Sequence, residues 1–240
     1  MPRTLTRFLI LSFLLASGAA LAQNANEEAV QRVAQSHDPA MFLATGALYV
    51  KQEAVRANGG KALPPELDAE VERLIDAEVR DPAWFRETLA KVIAESFSAE
   101  EADTIATHFE TPGGKLQRRT VELAVSEVLA NIYTFTNKID YQLAAASKRE
   151  MDDLHKAAGP MRGTCNCPTP KEREEMQRVS NGAPLEGPAD LSKYPEAVKF
   201  ANSALGIKYM KTLTLQGISA MNSHFETAAK HARDLVAAGR

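Results

Sequence analysis

Proline and glycine divide this chain into segments in which apolar residues recur every three or four positions, and that combination restricts the fold to helices. The divisions fall at Asp38-Pro39, Gly59-Gly60, Pro64-Pro65 and Asp81-Pro82. Proline is tolerated at a helix start, glycine ends helices, and Asp81 is a suitable N-cap. The stripes of the third and fourth segments are Leu67, Val71, Leu74 and Ile75, then Phe85, Leu89, Val92 and Ile93. We therefore expect an all-α helical bundle with negligible sheet.

Two longer stripes predict long amphipathic helices, over roughly 115–158 and 195–238. Their apolar residues alternate three and four apart, which is typical of coiled-coil-like packing. These residues are Val125, Val128, Ile132, Phe135 and Ile139 in the first, and Ile218, Met221, Phe225, Ala228, Ala232 and Leu235 in the second. Residues 133–136 and 213–215 alternate as a strand would, but both lie inside the longer helical stripes, which favours helix.

The segment 159–194 differs from the rest because it is rich in proline and glycine. Such a composition predicts irregular surface chain. We expect it to connect a helical domain over 23–158 with a C-terminal helix over 195–240 that packs on the same bundle.

The first 22 residues have the features of a signal peptide. Arg3 and Arg7 precede a short apolar run, and Ala20-Leu21-Ala22 has the form of a signal-peptidase site. The apolar run is shorter than the roughly 20 residues that cross a bilayer, and an uncleaved anchor is therefore the less favoured alternative. We expect cleavage after Ala22 and a periplasmic or secreted protein.

Charge and hydropathy limit the partners of the mature chain. The sequence has 28 basic and 31 acidic residues, a net charge of −3, and no basic block. It therefore offers no electrostatic reason to bind nucleic acid. No second apolar run approaches membrane-spanning length, and we expect a soluble mature chain without a transmembrane segment.

The region around 97–115 predicts a capped helical hairpin. Ser98 and Glu101 have the spacing of a capping box, in which each side chain satisfies a backbone N–H at the helix start. Thr111-Pro112-Gly113-Gly114 then fits a type II turn, in which Gly113 accepts a positive φ. Every residue of this motif therefore has a structural explanation.

Over roughly 92–128 the chain resembles a family of exported bacterial proteins defined as domain of unknown function 2059. The residues that carry the resemblance are Phe97, Ser98, Glu101, Phe109, Thr111, Pro112, Gly114 and Lys115. The chain departs from the family pattern at His108, where an aromatic residue is usual, and at Ala102, where leucine is usual. The resemblance implies an all-α module of the cell envelope and carries no catalytic residues.

Cys165 and Cys167 are the only two cysteines, and a single residue separates them. In an oxidising compartment two such thiols tend to pair, and the sharp bend that a disulfide would need at this spacing predicts a strained, exchangeable bond. A redox role and a soft-metal site for Cu(I), with His155 or Met161 nearby, are therefore both open. So is an inert pair, because closing so short a loop stabilises little.

The other chemistry-bearing residues point to no activity or cofactor. His224 and His231 are seven apart, which is not the usual spacing of a metal-binding pair on a helix, and no nucleotide-binding or hydrolase motif occurs. The sequence favours a non-enzymatic protein that binds another envelope protein or itself, or serves as a structural module. The alternative is a thiol-redox or copper protein acting through Cys165 and Cys167.

Overall fold

The computed structural model describes residues 27–136, 138–158 and 193–239, and every regular element in these ranges is helical. The α-helices are α1 (27–36), α2 (Ala40–Ala57), α3 (Pro65–Glu78), α4 (Pro82–Ser96), α5 (Ala99–Glu110), α6 (Pro112–Phe135), α7 (Lys148–Ala158), α8 (Pro195–Ala201), α9 (Ala204–Thr212) and α10 (Ile218–Ala238). A 3₁₀ turn spans Tyr141–Leu143, and a π turn spans Leu213–Gly217. The predicted all-α bundle is therefore confirmed.

The proline and glycine punctuation separates the first four helices where it is predicted to, and the capping residue Ser98 precedes α5. Gly59 and Gly60 have φ of 71° and 75° after α2, a left-handed conformation that glycine adopts without steric cost. Asp81 caps α4 by accepting a hydrogen bond from the Ala83 N–H. None of the helices in the described ranges has the length and apolar character needed to cross a membrane.

Helix α2 lies at the centre of the bundle and is buried on nearly all sides. The side chains of a helix enclosed in this way must be apolar, or must have polar partners inside the protein, around the whole circumference. Close packing requires a glycine at one point, because a Cβ at Gly46 would lie 2.2 Å from the Phe225 ring of α10. Consequently α10 approaches α2 closely and covers one side of it.

The contacts along α2 fix the directions of its neighbours. Tyr49 and Glu53 of α2 meet Glu226 and Arg233 of α10, and because both numbers rise together the two helices run parallel. Helix α6 also runs parallel to α2, because His37 and Tyr49 contact Glu122 and Tyr133 in rising order. Helix α7 runs antiparallel to α2, because Gln52 contacts Ser147, whereas residues 40–44 line the same groove as residues 153–157.

The predicted long helix over 115–158 is wrong, because the chain turns between α6 and α7. The N–H groups of Lys138 and Ile139 both donate to the Tyr133 carbonyl, which closes the end of α6. Gln52 of α2 then fixes the turn, accepting from the Asp140 N–H at 2.7 Å and donating to the Asp140 carbonyl at 3.0 Å. A buried amide on another helix therefore ends this helix, and local periodicity carries no sign of it.

The predicted long helix over 195–238 is interrupted once. Asn202 and Ser203 separate α8 from α9, and Ser203 caps α9 by accepting from the Gly206 N–H. From Ala204 the chain stays helical to Ala238, with the π turn inserted before α10. In this helix the predicted stripe is buried from Ile218 to Ala232, and residues 213–215 are helical as predicted.

Two predictions fall on residues outside the described ranges. They are the signal peptide over 1–22 and most of the irregular segment, over 159–192.

Candidate functional site

The capping box of α5 is present and is part of a wider contact. The Ser98 hydroxyl accepts from the Glu101 N–H, and Glu101 accepts in return from the Ser98 N–H at 2.9 Å. Lys208 of α9 bonds the same Glu101 carboxylate at 2.7 Å, and its ammonium lies 4.8 Å from the centroid of the buried Phe97 ring. The N-terminus of α5 is thereby tied to the C-terminal part of the chain.

The predicted type II turn is wrong, because α6 begins at Pro112 and neither following glycine has a positive φ. The Thr111 hydroxyl accepts from the Gly114 N–H and donates to the His108 carbonyl, which makes a tight corner. Glycine is needed there for space: a Cβ at Gly114 would lie 1.9 Å from the His108 carbonyl oxygen, and one at Gly113 would lie 2.6 Å from the Cβ of Tyr194.

Of the other residues of the family motif, Phe109 is buried and Lys115 is exposed. Phe109 lies within 5.3 Å of the Tyr209 ring, measured between centroids. Phe97, Glu101 and Phe109 of the motif therefore contact the C-terminal helices.

The same corner recurs between α8 and α9, and sequence analysis missed it. The Ser203 hydroxyl donates to the Phe200 carbonyl and accepts from the Gly206 N–H, and a Cβ at Gly206 would lie 2.0 Å from that carbonyl oxygen. The two corners contact each other, because the His108 and Phe200 rings stack with centroids 4.0 Å apart. The shared pattern is an aromatic or histidine, then Ser or Thr three residues later, then glycine three after that.

A first buried polar cluster joins α1, α6 and α9. His37 lies after α1, with Nδ1 2.9 Å from the Glu122 carboxylate of α6 and Nε2 2.5 Å from the Tyr209 hydroxyl of α9. Because an ionised carboxylate only accepts, His37 donates from Nδ1, and Nε2 accepts the phenol proton. Arg119 closes the outer side, 3.3 Å from Asp38 and 3.8 Å from Glu122.

This Glu–His–Tyr arrangement resembles a catalytic relay, but it is closed to substrates. His37, Glu122 and Tyr209 are each at most 3% exposed. Burial, together with the Glu122 charge, raises the pKa of the Tyr209 phenol well above its ordinary value, so the phenol stays protonated. An inaccessible and neutral phenol is a poor nucleophile or base, and the cluster is suited to joining three helices.

A second buried polar cluster joins α2, α3 and α7. Lys51 of α2 is 3% exposed and bonds Asp68 and Glu72 of α3, each at 2.6 Å. Arg80 follows α3 and lies 3.1 Å from Glu72 and 3.2 Å from Glu150 of α7. Arg80 therefore holds the two carboxyls, Glu72 and Glu150, beside each other.

The pKa values of these two carboxyls are shifted in opposite directions. Burial, reinforced by the hydrogen bond and the charge of Glu72, raises the pKa of Glu150 to about 7. Burial opposes ionisation of Glu72 as well, but hydrogen bonds from Glu150, Lys51 and Arg80 lower its pKa to about 2. The pair therefore shares one proton at mildly acidic pH.

A surface groove of about 530 Å³ lies between the two clusters and is lined by both α2 and α7. Arg119 from the first cluster and Arg80 from the second reach it, while Leu43 and Ala44 supply apolar surface. Both arginines are held by carboxylates, so the groove has no concentrated positive charge. Its shape depends on how α7 packs against α2.

The remaining candidate residues make structural contacts or lie outside the described ranges. His224 donates from Nε2 to the Glu78 carbonyl at 2.6 Å, and His231 lies 2.9 Å from the Glu78 carboxylate, so both bind the end of α3. Among the described residues no group of three potential metal ligands converges. Cys165 and Cys167 lie outside those residues, and their redox or copper role stays a prediction.

The exposed large apolar side chains of the described residues lie close together in sequence. They are Val198 of α8, Ile207 of α9 and Leu215 of the π turn, which is 70% exposed. Eight positions separate Ile207 from Leu215, and the π turn accommodates about one of them as an extra residue. The helix therefore makes about two turns between the two side chains. The Ile207 and Leu215 side chains therefore project from the same side of the helix, with exposed Lys211 between them.

Comparison with known proteins gives no relative from which a function could be transferred. No family model matches this chain, and no curated protein and no solved structure matches it either. The resemblance of 92–128 to domain of unknown function 2059 is therefore neither supported nor contradicted.

Proposed function

We propose that this chain is a non-enzymatic helical module of the cell envelope that acts by binding another protein. The observation that carries the proposal is the pair of exposed apolar side chains, Ile207 and Leu215, on one side of the same helix, which we name the C-terminal apolar face. Large apolar side chains that stay exposed together are typical of protein-binding surfaces. The signal-peptide pattern and the family resemblance support export to the envelope.

The polar clusters support a binding role over an enzymatic one. The buried ionisable groups His37, Glu122, Lys51 and Glu150 are engaged with one another, and each cluster joins three helices. An active site needs titratable groups at a cleft that substrate can enter. The groove between the clusters is bordered by arginines already held by carboxylates, which makes it a weak candidate for a catalytic cleft.

The experiment compares tagged wild-type protein with Ile207→Glu and Leu215→Glu, purified from cross-linked envelopes. Thr227→Glu places the same charge at an exposed position of α10, three turns from Leu215, and serves as the control. Any partner recovered is then purified and its affinity for each variant measured.

We expect wild type and the control to bind the partner alike, and each apolar-face variant to lose at least tenfold in affinity. A fully buried apolar contact is worth about 1.5–3 kcal/mol, which is tenfold or more. Equal affinity of all four proteins would overturn the assignment of this face.

A further inference from the structure

Two carboxyl groups lie beside each other where α7 docks on the bundle. Glu150 of α7 is 1% exposed and contacts the Arg80 guanidinium at 3.2 Å, while the Glu72 carboxyl of α3 contacts the same guanidinium at 3.1 Å. Two carboxyl groups held together in this way can hydrogen-bond to each other only while one of them carries a proton.

The charges around the pair do not compensate a second negative charge. Lys51 of α2 bonds Asp68 and Glu72. Arg80, which follows α3, contacts Glu72, Asp76, Glu150 and Asp153. Arg149 of α7 contacts Glu72 and Asp76. Five carboxyls thus face three cations. Neutralising one carboxyl by a proton brings the cluster closer to balance, and Glu150 is the most deeply buried of the five.

Helix α7 packs along α2 but contributes few large apolar side chains to that contact. It is an 11-residue helix whose buried apolar side chains are Met151 and Leu154. An isolated helix of this length is unstable in water, so α7 depends on its docking. A change of charge at its buried face can therefore shift the balance between docked and undocked states.

We propose that the Glu72–Glu150 carboxyl pair is a pH-sensitive latch, which keeps α7 docked on α2 while the pair shares a proton and releases α7 when that proton is lost. Release widens the groove and uncovers the side of α2 that α7 covers. The pH midpoint of this release follows from Glu150, because burial raises the pKa of its carboxyl to about 7. The inference is independent of the proposed binding function, because it concerns a different face of the molecule.

The test is hydrogen exchange on the full chain, followed by mass spectrometry, at several pH values between 6 and 8.5 and corrected for intrinsic exchange. If Glu150 moves from a pKa of about 7 when docked to an ordinary 4.5 when exposed, opening of α7 should rise roughly tenfold over that range. Amides of α4, which lies outside the cluster, should change far less.

The variants separate Glu150 from the other charges of α7. Glu150→Gln keeps a hydrogen-bond donor toward Glu72 without the ionisable proton, and it should abolish the rise. Asp152→Asn alters an exposed carboxyl on the same helix and should retain the rise. His155→Gln should retain it too, which excludes the exposed imidazole of α7, since imidazoles in general change charge in this range.

A second measurement does not depend on any variant folding. Carbon-13 NMR of the side-chain carboxyl of Glu150 in the wild type should show a titration midpoint at least one pH unit above those of exposed glutamates. An ordinary midpoint for Glu150 would overturn the proposal. So would α7 protection that is independent of pH, or an undiminished rise in Glu150→Gln.

Discussion

At the scale of the residue, Tyr209 and Tyr133 show how much a partner matters to a buried phenol. Both rings are fully buried, but the Tyr209 hydroxyl donates to His37, whereas the Tyr133 hydroxyl has no hydrogen-bond partner. Burial raises the pKa of both phenols, so neither ionises under ordinary conditions. The sequence contains no signal that distinguishes them, because His37, the partner of Tyr209, lies 172 residues away in the chain.

We expect Tyr209→Phe to lower the free energy of unfolding by about 1–3 kcal/mol, because it leaves the buried His37 nitrogen unpaired. Tyr133→Phe removes a hydroxyl that has no partner and should be neutral or stabilising. Urea unfolding monitored by circular dichroism gives both values. Equal losses in the two variants would contradict the Glu–His–Tyr cluster.

The glycines give a second pair of matched substitutions. Gly114→Ala should destabilise the protein by about 1–3 kcal/mol or more, because the new Cβ would overlap the His108 carbonyl. Gly217 lies inside a continuous helix, and its Cβ would meet only Leu213, at 3.9 Å. Gly217→Ala should therefore stabilise by up to about 1 kcal/mol, from helix propensity. Thermal unfolding of both variants measures the contrast.

We expect Gly113→Val to destabilise the protein, but on a different physical ground from the one that the sequence indicates. The sequence predicts a positive φ at Gly113, whereas the structure places Tyr194 and Glu196 against this position. The penalty therefore comes from overlap with the start of α8. A change to alanine should be harmful too, which a positive φ alone would not require to the same degree.

At the scale of the element, the two corners are built by the same local chemistry. In each corner a hydroxyl caps the following helix, and a glycine lets that helix pass close to a carbonyl at the end of the preceding helix. The spacing common to His108, Thr111, Gly114 and to Phe200, Ser203, Gly206 could have been found in the sequence. It was missed because neither serine nor glycine interrupts an amphipathic pattern when periodicity alone is considered.

Ser203→Ala should cost about 0.5–2 kcal/mol, the usual effect of losing an N-cap. Ser223→Ala, at an exposed position inside α10, should be neutral or slightly stabilising, since alanine is the better helix former. Chemical denaturation checks both. If Ser203→Ala is as harmless as Ser223→Ala, the corner does not depend on its cap.

At the scale of the whole molecule, two polar clusters hold helices distant in sequence around α2, and they make stability depend on pH. The folded-state pKa of Glu72, about 2, lies below the ordinary value of 4.5, so its contribution is present above pH 4.5 and is lost as pH falls toward 2. Glu150 has the opposite sign: its contribution is complete below pH 4.5 and is lost as pH rises through about 7. Stability from this cluster is therefore greatest between these limits.

We expect Glu72→Gln to lower the melting temperature at pH 6, because Lys51, Arg80 and Arg149 lose a common partner. The variant should also show a smaller fall in melting temperature between pH 4.5 and 2 than wild type. Glu66→Gln, an exposed position on the same helix, should follow the wild-type curve. Identical acid dependence in Glu72→Gln and wild type would remove Glu72 from the cluster.

The sequence by itself determined the helical class, the first five helices and the capping box of Ser98 and Glu101, because these depend on local chemistry. Cap residues, proline, glycine and apolar period act within a few positions of one another. Only the tertiary structure decided that 115–158 turns back at Asp140, because the amide that fixes the turn belongs to Gln52 on α2. It likewise decided which polar residues meet. Burial, together with the Glu72 carboxyl of α3, raises the pKa of Glu150, and Arg80, which contacts both carboxyls, lies 70 residues before Glu150 in the chain.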